Sequence, residues 1–346
     1  MLALLLLSAC TAEPDPLPSP PPSADPPPVT ELQPAAAPPP TWRARVRLRN
    51  ALTGQPLPCG FLAVDGALAE ARPDATYSAP VGATASLKVA APGFLPVAWV
   101  GPLSDHATLE AALMPARLRF LAFGDSLTAG LHVSEFDQYP RQLGTLLEQA
   151  YPGLQVTVVN LGRGGETFRD ALRRVPDVMD AQPDVLLVAF GTNDATRTPI
   201  GQFPDSVDQV LKPLSGLGCP LMLADIPYKP RWAGDWNGKT APFDAAIAQA
   251  AERDHASLVS WSRAFRKEAQ RGNWDLFYHD SPYDPRQPDW VFQGDYHPNA
   301  AGQAVMARAI ASELETHVHP GLRVTSSDPT KEFGPVVQRD NLADPL

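Results

Sequence analysis

RLRFLAFGDSLTAG, residues 117–130, is the stretch on which the reading of the chain turns. Its first half is rich in Leu and Phe, the composition of a strand buried on both faces of a parallel sheet. It then passes abruptly to Gly, Asp and Ser, so the hydroxyl of Ser126 falls where a strand ends and a helix begins. Four further apolar runs follow: QVTVVNL (155–161), DVLLVAF (184–190), PLMLADI (220–226) and SLVSW (257–261). Between and after them lie amphipathic stretches, of which PRQLGTLLEQAY, ETFRDALRRVPDVMDAQ, PFDAAIAQAAERDHA and NAAGQAVMARAIASELE are the clearest. This rhythm predicts a three-layer α/β fold with a parallel sheet, whose sites sit at the carboxyl ends of the strands.

Three more segments belong with GDSLTAG: NLGRGGET (160–167), GTND (191–194) and GDYHPN (294–299). The first three blocks follow the first three predicted strands and so converge on one edge of the sheet; the fourth opens the last helix. Each supplies a different chemical part. A serine hydroxyl becomes an effective nucleophile when an imidazole takes its proton, and the negative oxygen that develops needs donors already aimed at it. Ser126 brings the hydroxyl and, at a helix N-terminus, its own N–H. Asn193 brings a side-chain amide, His297 an imidazole, and Gly165, lacking a Cβ, allows a backbone N–H to approach closely, with Gly164 beside it as the rival. GDSLT is not G-x-S-x-G, so the nucleophile elbow of an α/β-hydrolase is excluded.

With Ser, Gly, Asn and His in this order in four blocks, residues 117–316 resemble the SGNH, or GDSL, hydrolase family. The resemblance implies a flavodoxin-like α/β/α fold and a serine-dependent carboxylic-ester hydrolase that works through an acyl-enzyme. It implies Ser126 as nucleophile, the donors of Ser126, Gly165 and Asn193 as oxyanion hole, and His297 as base. One feature departs from the family, whose acid stands three residues before the histidine. Here that position is Gly294, and the aspartate is Asp295. An extended 295–297 segment, favoured by Pro298, puts Asp295 and His297 on one face and completes a triad. The alternatives are Asp289, or a main-chain carbonyl such as that of Gly294, which makes the site a Ser–His dyad. Carbohydrate O-acetyl esters, lysophospholipids and thioesters all remain open as substrates, small or polysaccharide-borne.

Residues 2–7, LALLLL, are too short to span a bilayer and end in Leu7-Ser8-Ala9-Cys10. This resembles a bacterial lipoprotein signal, although no Lys or Arg precedes the apolar run. It implies removal of 1–9 and a lipid on Cys10, holding an exported enzyme at a membrane of the cell envelope. Thirteen prolines between 11 and 40 favour extended polyproline II and make 10–40 a linker. At ~3.1 Å per residue it reaches about 90 Å.

From 41 to 115 short alternating runs are punctuated by Gly and Pro, the pattern of a small all-β sandwich. VRLRN, TGQPL, the turn near Pro80, AAPGFLPV and LEAALMP resemble a carboxypeptidase-regulatory-type domain. It carries no chemical constellation, Asp105 and His106 standing alone, and reads as a spacer or binding module. The hydrolase domain is expected over 116–317 and a disordered tail over 318–346.

The formal charge of -10, without a Lys/Arg cluster, argues against nucleic acid. Cys10, Cys59 and Cys219 fall in three different segments, so no disulfide framework is indicated. Neither a metal-ligand spacing nor a cofactor motif occurs, which disfavours a metal-dependent deacetylase; a monomer is expected. Asp125 and Asp194 read as turn caps. His132, His255 and His279 have no partner at a recognisable spacing and read as non-catalytic, and His317 and His319 as part of the tail. Two long loops, 228–244 with Arg231, Trp232 and Trp236, and 278–293 with Tyr283, Arg286, Trp290 and Phe292, read either as a substrate rim or as loops pinned by their aromatics. The other class of function open to the chain is a surface binding module whose hydrolase-like domain is inert, which the complete Ser, Gly, Asn and His set disfavours.

Overall fold

Five parallel strands form the central sheet, in the order Gln155–Gly162, Arg117–Gly124, Val185–Ala189, Leu221–Ala224, Ser257–Val259. A computed structural model of the chain describes residues 41–71, 76–80, 85–101, 107–230, 235–278 and 296–325. All of these belong to one unit beginning at Pro40. The expected signal, Cys10, the linker, and Asp105 with His106 lie outside the described residues.

Alternation along the strands explains the layers. Leu118, Phe120 and Ala122 enter one apolar cluster, with Leu143, Phe265, Met306 and Ile310. Leu121 and Phe123 enter another, with Phe168, Val207, Leu211 and Ile247. Successive side chains of a strand point to opposite faces, so a strand covered on both sides must be apolar at nearly every position. Helices Tyr139–Ala150, Trp261–Gln270 and Ala300–His317 cover the first face. Phe203–Leu214 and Trp236–Arg253 help to cover the second. Phe203, Val207, Val210, Leu211 and Leu214 make the buried stripe of their helix, the spacing a 3.6-residue period demands.

Two helical expectations change in detail. The stretch 166–182 is broken into Phe168–Ala171 and Val175–Ala181, with Pro176 in the first turn of the second piece, where its missing N–H costs nothing. The loop expected to run to 244 ends at Asp235, whose side chain accepts from the Gly238 N–H at 3.0 Å and starts a helix at Trp236.

The N-terminal β region consists of two sheets that share one apolar cluster of Leu62, Leu87, Val89, Leu109 and Leu113 among others. Strand Thr41–Asn50 pairs in parallel with Ala107–Leu113 and antiparallel with Thr76–Pro80. The region is joined to the α/β part through Ala51, Ala112 and Met114, which belong to the same cluster as Leu118 and Leu147.

The disordered tail expected from 318 is corrected here. Gly321–Thr325 is a strand antiparallel to Ala107–Leu113, with Leu322 opposite Ala111 and Val324 opposite Leu109. Leu322 and Val324 alternate with polar residues and are buried in the β region's cluster, which the two-residue period requires of an edge strand with one covered face. Leu322→Ala should therefore lower the stability of the whole chain by about 2–5 kcal/mol, the usual cost of truncating a buried leucine. Urea unfolding reads this directly, and an unchanged midpoint would show that the strand contributes nothing.

Candidate active site

Strand Arg117–Gly124 delivers the first block. Gly124 has no room for a side chain, because a Cβ there would meet the Thr128 side chain and lie 2.6 Å from the Ala189 carbonyl. The chain then turns into the single-turn helix Ser126–Ala129, capped by Asp125, which accepts the Leu127 N–H at 2.9 Å. Ser126 is buried at the first position of that helix.

His297 arrives from the far end of the sequence. Its Nε2 lies 2.8 Å from Ser126 Oγ, and both side chains are buried. The segment holding it is tied to Leu276–Tyr278 by Tyr278 N–H to His297 O (2.8 Å) and Asn299 N–H to Leu276 O (3.0 Å). Asn299 also caps the last helix, accepting from Gly302 N–H at 3.0 Å. Gln303, fully buried on that helix, accepts the Tyr139 N–H at 2.8 Å and donates to the Leu127 carbonyl at 3.1 Å. One amide thus holds the helix that follows His297 against the turn that carries Ser126.

The second block is held by side chains rather than by regular structure. Gly165 has φ +80°, the left-handed region in which glycine is favoured. Arg197 donates to the Gly165 carbonyl, Asn193 Nδ2 donates to the Glu166 carbonyl at 2.9 Å, and buried Arg174 pairs with the Glu166 carboxylate. Arg174 also donates to the Leu161 carbonyl at 2.9 Å. Thr167 and Asp170 form a reciprocal capping box where the loop becomes helix, and those bonds to Thr167 hold the Asp170 carboxyl below its ordinary pKa. Neither the Ser126 N–H nor the Gly165 N–H has an acceptor among the described residues. Asn193 Nδ2 has a second hydrogen whose partner, Asp125 Oδ2, is 3.4 Å away, a long contact that a better acceptor displaces. The resting site thus holds three loosely engaged or unengaged donors beside a hydroxyl already paired with an imidazole. That is what attack on a carbonyl carbon and stabilisation of its oxyanion require.

Asp125 and Asp194 are buried loop ties, as expected of caps. Asp194 accepts from Phe168 N–H (3.1 Å) and Thr198 Oγ1 (2.9 Å), joining the third block to the helix after the second. Burial raises its pKa, opposed by those bonds. Asp125 is pushed up to about 7, chiefly by burial and further by the Asp194 charge, against the Leu127 N–H and the positive charges of Lys229 and Arg197.

Asp295, Asp289 and Gly294 lie outside the described residues, as do Arg231, Trp232, Tyr283, Arg286, Trp290, Phe292 and His279. Trp236 is buried rather than on a rim, its ring stacked on Tyr296 (5.8 Å between centroids, 7° between planes). The Lys229 ammonium lies 4.1 Å from the Trp236 centroid and 4.3 Å from that of Tyr296. Tyr296 in turn lies 4.9 Å from the His297 ring.

His132, read from the sequence as unconnected, is instead beside the site. Its ring meets His297 edge-on at 5.4 Å and stacks on Tyr278 at 4.7 Å and 17°. The signal was its place in the loop leaving Gly130, whose left-handed cap turns the chain back over Ser126. His255 takes a positive φ at the turn after a long helix, and His317 pairs with Glu313 on the last helix. No His/Cys/Asp/Glu group able to hold a metal occurs among the described residues.

The GDSL-like Lipase/Acylhydrolase family matches residues 122–305, and the chain belongs to that family. It is a carboxylic-ester hydrolase. An arylesterase of Vibrio mimicus is 24% identical over 211 residues, 60% of this chain and 94% of that protein. A lipoprotein of Bacillus subtilis (strain 168) is 42% identical over 78 residues, 22% of this chain and 31% of the other. Among solved structures, an acetylxylan esterase from Geobacillus stearothermophilus is similar at 21% identity and a TM-score of 0.45, covering 57% of this chain and 94% of that one.

The raised Asp125 pKa has a measurable consequence. From about pH 4, where an unfolded aspartate loses its proton, to about pH 7, the folded state keeps a proton that the unfolded chain has released. The stability contributed by this carboxyl therefore falls as pH rises through that window. Asp125→Asn retains an oxygen for Leu127 N–H but does not titrate. Its urea midpoint should decline less between pH 4 and pH 8 than that of the wild type, and parallel profiles for the two proteins would refute the assignment.

Proposed function

We propose that the chain hydrolyses carboxylic esters through an acyl-enzyme on Ser126, with His297 as the base. The observation that carries this is the buried 2.8 Å contact between His297 Nε2 and Ser126 Oγ. As Oγ bonds to the ester carbon, its proton passes to Nε2, and the carbonyl oxygen becomes an oxyanion held by Ser126 N–H, Gly165 N–H and Asn193 Nδ2. Collapse of this adduct breaks the ester C–O bond, and Nε2 returns the proton to the leaving alcohol. Water then repeats the sequence on the acyl-enzyme, with His297 taking its proton, and releases the acid.

The third partner of His297 is Asp295, with Asp289 or a main-chain carbonyl as the alternatives. Small-molecule or polysaccharide-borne esters are the proposed substrates, and the arylesterase relative supports an ester as the substrate class. The N-terminal β region, taken as a carboxypeptidase-regulatory-like sandwich over 41–115, is a spacer or binding module ahead of a hydrolase domain at 116–317. Residues 1–9 form the signal and Cys10 the lipidated residue, with 10–40 as tether at the cell envelope. The Leu7-Ser8-Ala9-Cys10 motif and the lipoprotein relative support that location.

Ser126→Ala should abolish turnover of p-nitrophenyl acetate and labelling by a fluorophosphonate while its circular dichroism stays that of the wild type. Retained turnover sinks the mechanism. Asn193→Ala should lower kcat by about 10²-fold to 10³-fold, the usual loss on removing an oxyanion donor. For the acid, Asp295→Asn and Asp289→Asn compared side by side should single out Asp295. If neither variant loses activity, a carbonyl orients His297.

A further inference from the structure

We propose that His132 and Tyr278 together form the leaving-group subsite, a flat aromatic platform that receives a ring carried on the alcohol side of the ester. The inference rests on the serine-esterase reading above. It adds a direction to the site, because the proton that His297 takes from Ser126 must be handed to the leaving oxygen when the ester C–O bond breaks. The leaving alcohol therefore lies against His297, while the carbonyl oxygen points to the donors of Gly165 and Asn193. Exposed rings that stand beside the imidazole are therefore placed to meet the alcohol.

What is built there is aromatic. The His132 ring sits edge-on to His297 at 5.4 Å, and Tyr278 stacks on His132 with planes 17° apart. Both are exposed, Tyr278 by 42%. Tyr296, also beside the imidazole, is only partly exposed and is itself stacked on buried Trp236, which leaves it less of its ring to offer. His132 is held in the left-handed region, φ +71°, where a residue with a Cβ is strained. Bonds from Leu131 N–H to Ser126 O and from Val133 N–H to Gly130 O, each 3.2 Å, clamp the backbone there. A strained backbone that displays a ring beside the general acid is a device for contact, since packing alone is served equally well by a relaxed residue. Leu131, next to His132 in the chain, is also exposed.

An exposed pair of flat rings recognises another flat, apolar face: an aryl ring, or the C–H face of a pyranose. The subsite thus selects the alcohol and leaves the acyl group to other parts of the site.

The test compares three esters of similar intrinsic reactivity: ethyl acetate, benzyl acetate with the ring on the alcohol, and ethyl phenylacetate with the ring on the acyl side. The wild type should favour benzyl acetate over ethyl acetate in kcat/KM by 10-fold or more. His132→Asn, which removes the ring but tolerates a left-handed backbone, and Tyr278→Leu should each shrink that preference by about 3- to 10-fold, the range of one aromatic contact. Tyr278→Phe should retain it. The ethyl phenylacetate to ethyl acetate ratio should be the same in all four proteins. Equal losses on all three esters, or a change confined to the acyl-side probe, overturn the subsite while leaving the esterase reading in place. A wild type that hydrolyses none of the three and is not labelled by a fluorophosphonate overturns the esterase reading itself. If Tyr278→Leu does not fold, His132→Asn decides.

Discussion

One rung of the central sheet sets the geometry on which the site depends. In the parallel register, Gly124 stands opposite Gly162 on one side and Ala189 on the other. Three strands therefore end at one level, and the loops that leave them emerge side by side as the first, second and third blocks. Parallel strands of equal reach impose this, because each enters from the same edge and its loop must leave at the opposite one. The rung also explains the absence of side chains at 124: the Arg163 N–H bonds the Gly124 carbonyl at 2.9 Å while the Asp125 N–H bonds the Ala189 carbonyl at 3.3 Å, and the backbones approach too closely for a Cβ between them.

The register brings together Ser126, Gly165 and Asn193 but not His297, which belongs to no strand of this sheet. Its position is set by contacts made across the whole length of the chain. Gln303 satisfies one otherwise orphaned N–H at the start of helix Tyr139–Ala150 and one carbonyl of the nucleophile turn. Buried polar groups with both bonding partners in place fix a unique arrangement, since any slip of the last helix strands two of them. The packing of Met306 and Ile310 against the sheet supplies the attraction; Gln303 and Asn299 supply the register. The 2.8 Å Ser126–His297 contact is the product of both.

Which of these features were legible in the sequence follows from their physical origin. Strands covered on both faces must be apolar throughout, so 117–123 and 184–190 stand out, and the structure places strands at Arg117–Gly124 and Val185–Ala189. The glycines and polar residues of the four blocks break those runs and mark the edge of the sheet. Trp236 was harder, because Gly238 and Pro242 give its helix the composition of a loop, and only the Asp235 cap announces it. Gly321–Thr325 was read as tail because an edge strand needs only two apolar residues on one face, too short a pattern to register. His132 was missed for a different reason. Proximity to His297 is created by a turn at Gly130 and by a long-range closure, neither of which leaves a periodic trace.

Two buried carboxylates beside the proposed oxyanion site pose an electrostatic problem, because negative charge there opposes the charge that would develop on the substrate. The arrangement around Asp125 and Asp194 resolves much of it. Burial raises the proton affinity of each carboxyl group itself, and pushes that of Asp125 up to about 7. What negative charge remains is shared among the N–H groups of Leu127 and Phe168 and the Thr198 hydroxyl, with Asp125 Oδ2 also 3.4 Å from Asn193 Nδ2. Arg197 and Arg174, both bonded to the second block, and Lys229, within 4.1–4.3 Å of the Trp236 and Tyr296 rings, add positive charge. The balance gives the acids of the first and third blocks a structural role. A carboxylate can accept several backbone N–H groups at once, so it ties a loop more firmly than a neutral side chain, and the surrounding cations keep that rigidity from weakening the proposed oxyanion donors.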